Sequence, residues 1–305
     1  MNKDIIQIST ISELHQMAGF NKPTHPLISI INVSDWEIKE DMGDQRIMLN
    51  LYSIGMKDKS CGLEYGRNTY DFNEGVLYFT APNQINKITK AQEANSVNGW
   101  VIFFHPDLIR NSNLQSKIDT YTFFDYEVHE ALHLSADEEN TLNQCVKMIQ
   151  SEISERIDSH SQQVIINTLE LLLNYSLRYY ERQFNTRTNH HSDFVSQFHS
   201  QLKAYYNAGL FSELGIPTVD YLGEQLHFSG SYLSDLLKKE TGLSTKEHIN
   251  QFIVEKAKDL LLQDQKSISE IAYSLGFNYP HYFSRLFKNK TGTTPNQFKD
   301  LSHLN

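Results

Sequence analysis

The spacing of apolar positions changes along the chain, and the change divides it. From residue 27 to 104 the apolar residues come in short runs. Residues 27–33, 46–54, 61–70, 76–79 and 100–104 are rich in Ile, Val, Tyr and Phe, and turn residues such as Asp35, Gly43-Asp44, Asn73-Glu74-Gly75 and Pro82-Asn83 separate them. β-branched and aromatic residues suit a pleated, half-buried surface, so these runs predict strands of a small β-barrel or sandwich. Beyond residue 134 the period becomes helical. Ser135 and Glu138 form a capping box, after which Leu142, Val146, Ile149, Ile153 and Ile157 share one face. A second helix, from about 162 to 184, carries Ile165, Leu169, Leu172, Leu173, Ser176, Tyr180 and Phe184. That stripe suits packing either on the β-region or on a second copy of the chain, and as a dimerisation face its members are Ile165, Leu169, Leu172, Leu173 and Tyr180. The polar run 183–193 reads as an interdomain linker.

From Phe194 onward the pattern is helical and contains a repeat. Residues 219–242 align with 268–292 if the second copy has one extra turn residue. Tyr232, Ser234, Leu236, Lys238, Thr241 and Gly242 then match Tyr282, Ser284, Leu286, Lys288, Thr291 and Gly292, and Leu226 and Phe228 match Leu275 and Phe277. Each copy reads as helix-turn-helix. In the second, Ser267 with Glu270 opens a helix whose stripe is Ile268, Ile271, Ala272 and Leu275, and Gly276 ends it at a tight turn. Phe283, Leu286 and Phe287 are the buried side of the next helix, leaving Tyr279, His281, Arg285 and Lys288 on other faces. In the first copy His227 replaces the turn glycine, which asks a histidine to occupy or avoid a left-handed backbone. Between the copies, Ser244 and Glu247 open a helix reaching about residue 263, with Ile249, Phe252, Ile253, Ala257, Leu260 and Leu261 on its buried side. Such a helix is roughly 30 Å long. That approaches the ~34 Å of one B-DNA turn, so recognition helices at its ends can enter successive major-groove segments.

A net charge of −10 over 305 residues opposes nucleic-acid binding until it is divided by region. Residues 211–305 have ten Lys/Arg and eleven Asp/Glu, whereas the other 210 have 17 and 26. The acidity lies upstream. From Ile271 to Lys299 there are four basic residues, Arg285, Lys288, Lys290 and Lys299, and no carboxylate. No apolar run approaches the ~20 residues of a membrane span, which predicts a cytoplasmic protein. Cys61 and Cys145 lie far apart in unlike patterns and read as reduced structural thiols.

The order IAYSLGF, YFSRLFK and TGTTPNQF within residues 267–298 resembles the AraC/XylS family of bacterial transcription regulators, and the likeness extends over residues 194–301. Upstream, the run from Gly75 to Pro82 resembles a hairpin of that family's usual partner, a cupin-like β-barrel. The resemblance implies an α+β multidomain chain. Its parts are a cupin-like sensor domain at 1–134, a helical dimerisation segment at 135–185, a linker at 186–193 and a double helix-turn-helix domain at 194–305. It also implies promoter DNA and RNA polymerase as partners, a small effector in the sensor domain, a homodimer, and no cofactor. Carried over by position, base contacts fall on Ser231, Ser234 and Asp235 in the first unit and on Pro280, His281 and Arg285 in the second. Arg285 suits a paired contact to guanine O6 and N7, whereas Asp235, at the matching position, suits only a cytosine amino group. Lys238, Lys239, Lys288 and Lys290 are phosphate candidates. Trp36, Tyr52, Tyr65 and Tyr78 are candidates to line an effector cavity, although strand aromatics also serve as core.

Two chemistries weigh against this reading. His129-Glu130-Ala131-Leu132-His133 matches the zinc-protease signature H-E-x-x-H, which needs a continuous helix. Here residues 121–128 read as extended and Ser135 starts a new helix, so the segment is expected to be a loop or strand that buries Leu132 and Leu134. The alternative is a metal-dependent cupin enzyme fused to a DNA-binding domain. Such sites cluster histidines with a carboxylate on neighbouring strands, and residues 27–104 contain no histidine, which predicts a non-enzyme.

Overall fold

A computed structural model describes residues 5–35, 46–58, 75–87, 99–127, 130–155, 158, 160–187, 192–263 and 266–302. The chain forms two compact units, Met1–Arg187 and Thr188–Asn305. Among the described residues, no helix is long and apolar enough to cross a membrane.

The first unit is built on two sheets. Strands β1 (Ile5–Ile8), β3 (Arg46–Leu49) and β6 (Ile85–Lys87) make the smaller, with β1 and β3 parallel. The larger is antiparallel, in the order β2 (Ile28–Asn32), β7 (Gly99–Phe104), β4 (Tyr52–Asp58), β5 (Gly75–Thr80), β8 (Leu132–Leu134). Helix α1 (Ile11–Ala18), opened by a capping box of Thr10 and Glu13, packs with the small sheet, and two short helices, α2 (Pro106–Ile109) and α3 (Asn113–Lys117), follow β7. Its Ile11 and Leu14 join Ile8, Ile31, Ile47, Leu51, Val101 and Phe103 in one core.

Strand β7 explains how this core is layered. All five residues from Trp100 to Phe104 are buried, so neither of its faces meets solvent. Val101 and Phe103 belong to the core shared with the small sheet, whereas Trp100 donates its indole N–H to Asn143 of helix α4 (Ala136–Ser154) and Phe104 stacks on Tyr52 at 4.9 Å. On that second side Phe79, Phe123, Phe124, Tyr126 and Tyr180 interlock, Tyr180 coming from helix α5 (Ser161–Arg187).

Several expectations need correction. The predicted strand 46–54 is two strands in different sheets, because the chain leaves the small sheet after Leu49, buries Leu51 and joins the large sheet at Tyr52. The Pro82-Asn83 turn forms, with Asn83 at φ +68°, but it carries the chain from β5 in one sheet to β6 in the other and closes no hairpin. Residues 122–125, read as extended, form a 3-10 turn that buries Phe123 and Phe124. The Ser135–Glu138 capping box is present, and Leu142, Val146, Ile149 and Ile153 are buried. Ile157 lies outside the described residues. The stripe assigned to dimerisation is core: Ile165, Leu169, Leu172 and Leu173 are fully buried and Tyr180 nearly so within a single chain. Burying each such side chain stabilises by roughly 1.5–3 kcal/mol, so this face is committed inside the unit. The exposed apolar residues of α5 are instead Val164, Leu171 and Leu177.

The second unit is helical: α6 (Ser192–Asn207), α7 (Leu210–Leu214), α8 (Val219–Leu226), α9 (Gly230–Thr241), α10 (Thr245–Leu262), α11 (Ile268–Ser274), α12 (Pro280–Thr291) and α13 (Pro295–Ser302). α10 touches α9 of the first pair and α11, α12 and α13. It therefore buries a broad surface of Thr245, His248, Ile249, Ile253, Val254, Ala257 and Leu261, while Phe252 and Leu260, expected in its core, stay half-exposed.

Candidate nucleic-acid interface

The two repeats fold as two helix-turn-helix pairs, α8–α9 and α11–α12, with matching turn chemistry. Phe228 N–H donates to the Gly223 carbonyl at 2.9 Å, and Phe277 N–H donates to the Ala272 carbonyl at 3.0 Å. Both turns need a left-handed residue. Gly276 supplies it at φ +85°, and His227 adopts it at φ +61°, a conformation that costs a non-glycine residue roughly 1–2 kcal/mol. Gly276 has a second constraint. A Cβ there would lie 2.8 Å from the Gly215 carbonyl carbon and the Ile216 nitrogen, so the second turn is seated on the backbone that leads into the first pair.

Helix α12 starts at Pro280, whose fixed φ suits a first helical position, and buries Phe283 and Phe287. His281, Arg285 and Lys288 are exposed, and Pro280 is half-exposed. Lys290 is exposed as well, and its ammonium is paired with Glu247 of α10. In α9, Ser231 and Asp235 are half-exposed, and Lys238 and Lys239 are exposed in its last turn. Ser234 is also half-exposed, and its hydroxyl accepts from Thr245 Oγ1 at 3.1 Å. The predicted contacts are thus all exposed or half-exposed, and Ser234 and Lys290 also have side-chain partners on α10. The alignment gave no sign of either engagement, because both partners sit on α10, outside the repeat.

Tyr282 was missed. Its register partner Tyr232 is buried at 1 % exposure and stacks on Phe228 at 5.2 Å, whereas Tyr282 is 54 % exposed. Nothing in the sequence separates two tyrosines at equivalent positions. The difference arises from packing, since α6 brings Phe194 against Phe228 over the first pair.

In the first unit the two described aromatic candidates, Tyr52 and Tyr78, lie on opposite faces of the large sheet. Trp36 and Tyr65 lie outside the described residues. Tyr52 is opposite Phe104, on the helix side of the large sheet. Tyr78 is opposite Gly55, the neighbour of Val101, and its ring covers that glycine on the other side. Side chains alternate between faces along a strand, so Tyr52 and Tyr78 cannot line one cavity. A cleft does lie elsewhere in this unit, lined by His15, Phe20, Asn21, Asn32, Asp35 and Gln150 among others.

Of the H-E-x-x-H segment, Leu132 and His133 lie on β8, and Glu130 and Ala131 precede it outside any strand. Leu132 and Leu134 are fully buried on β8, and the Glu130 carboxylate accepts the backbone N–H of Glu127 at 2.7 Å. His133 N–H donates to Gln183 Oε1 at 2.7 Å, tying β8 to α5; His129 lies outside the described residues. Cys145 is a free buried thiol whose pKa is pushed up by that burial, and Cys61 lies outside the described residues.

Residues 222–300 match a family model described as a helix-turn-helix domain. An HTH-type transcriptional regulator encoded in the cgkA 5′ region of Pseudoalteromonas carrageenovora is 37% identical over 95 residues, 31% of this chain and 54% of that protein. The Msm operon regulatory protein of Streptococcus mutans is 35% identical over 109 residues, 34% of this chain and 39% of that protein. The chain thus spans about half or less of the length of these relatives. Among solved structures, the C-terminal domain of the response regulator yesN from Fusobacterium nucleatum is 31% identical, covering 35% of this chain and 98% of that one with a TM-score of 0.31. The C-terminal helix-turn-helix domain of this chain is thus of the AraC/XylS type.

Proposed function

We propose that the whole chain is a sequence-specific DNA-binding transcriptional regulator of promoter DNA, acting by binding rather than by catalysis. The observation that carries this reading is the pairing of two like helix-turn-helix pairs on one helix. α10 has 18 residues, about 27 Å, and the exposed face of α12 is basic with no carboxylate from Ile271 to Lys299. On this reading Arg285, with His281 and Pro280, reads bases in one major-groove segment, and Ser231 and Asp235 read the next. Lys238, Lys239 and Lys288 neutralise phosphates. The first unit serves as a cupin-like sensor, and the lined cleft, rather than the strand aromatics, is where a small effector binds. Homodimerisation uses the exposed face of α5, and RNA polymerase is the downstream partner in the cytoplasm. Gel shifts of the full chain on its organism's own promoters, beginning with the neighbouring operon, test the proposal. Sequence-selective retardation that survives excess random duplex supports it, and uniform binding to all duplexes refutes it.

A further inference from the structure

We propose that Tyr282, with Tyr279, is a specificity-determining aromatic face of the second recognition helix that takes thymine C5-methyl groups in the major groove. The molecule contains its own control. Tyr232 and Tyr282 occupy the same register of two like helices, and only Tyr232 is needed for packing: it is 1 % exposed, against 54 % for Tyr282. An aromatic ring left half in water at a position where its twin is core gains less from burial than that twin does.

Tyr282 is not a lone exposed ring. Tyr279, immediately before α12, is 60 % exposed, with its ring centroid 6.1 Å from that of Tyr282. The His281 ring lies 4.1 Å from Tyr282 and 5.8 Å from Tyr279. Three clustered rings thus cap the end of the helix that carries Arg285, three residues beyond Tyr282 and so adjacent to it on the helix surface. A cluster beside a guanidinium, in a segment without carboxylates, suits a polyanion, and its two tyrosine rings offer an apolar face rather than a charge. Within the major groove the apolar group on offer is the thymine methyl.

This inference rests on the DNA-binding reading, and one experiment separates the two. The full chain is used to select sites from a randomised duplex library, and each thymine of the selected site is replaced by deoxyuridine, which removes only the methyl. The expected result for the wild type is a loss of about 3- to 5-fold at one or two thymines in the α12 half, the worth of one buried methyl group. Tyr282→Ala should abolish that sensitivity, Tyr282→Phe should keep it, and Tyr282→Ala should melt with the wild type while Tyr232→Ala melts lower. Selection of no site refutes DNA reading itself, and this proposal with it. A selected site in which no thymine responds, or in which Tyr282→Ala responds like the wild type, overturns the aromatic assignment alone. So does a melting loss in Tyr282→Ala equal to that of Tyr232→Ala.

Discussion

Gly276→Ala tests how the second helix-turn-helix is held. Two costs act at this position. The backbone is left-handed, at φ +85°, which costs an alanine about 1–2 kcal/mol. The new Cβ would also lie 2.8 Å from Gly215 C, 2.8 Å from Ile216 N and 3.0 Å from Phe211 O. All three are backbone atoms, so no side chain can swing away, and the overlap adds about 1–3 kcal/mol. The sum, roughly 2–5 kcal/mol, is a large part of a domain's stability. Gly292→Ala is the control. Its φ is +81°, but no atom lies within 4 Å of a Cβ there, so it carries the backbone cost alone. Urea unfolding followed by far-ultraviolet circular dichroism measures both variants, and amide hydrogen exchange on α11 and α12 locates the loss. With an m-value of about 1–3 kcal/mol per molar, the Gly276→Ala midpoint should fall below that of Gly292→Ala by about 1 M. Equal midpoints would show that the turn is not seated on the Gly215–Ile216 backbone, and the argument for a fixed second pair would fail.

Arg285→Ala should weaken binding to a selected site by about 1–3 kcal/mol and relax preference at one base pair, read by competition with single-base variants; an equal loss on all sequences would mean a phosphate contact. Lys288→Ala should lower the slope of log affinity against log salt by about 1, whereas Lys290→Ala, whose charge is already paired with Glu247, should leave that slope nearer the wild-type value. Gln183→Leu removes the acceptor of the buried His133 N–H and should cost about 1–3 kcal/mol in urea unfolding of the first unit; no loss would mean that the bond contributes nothing. His248 is buried against Thr241 at 2.7 Å, and burial, then the neighbouring His199, push its pKa below 6.5, with Glu247 opposing. The unfolded chain then binds a proton that the folded one does not, so stability is full above about pH 6.5 and falls as pH drops below it. His248→Gln should flatten this part of the pH dependence, and an unchanged slope would count against His248 as its source.

Much of the second unit was legible in the residues. The Ser267–Glu270 capping box, the period of apolar positions and the repeat placed α8–α9 and α11–α12, because helix signals lie within a few residues of one another and each unit carries its own turn chemistry. The first unit was less legible. Strand content came from local runs, but the split of 46–54 at Asn50-Leu51 and the passage of 81–84 between sheets depend on which strands pair, and that is settled by residues far away in sequence. The same reason leaves the α5 stripe open between a dimer face and the core, which only its burial within one chain decides: a helix period says that one side is apolar and not what covers it. Tyr232 and Tyr282 give the sharpest case. The sequence alone determines that both are tyrosines in one register of a recognition helix. Only the tertiary structure makes one of them core and the other surface, through α6 and the Phe194–Phe228–Tyr232 packing over the first pair.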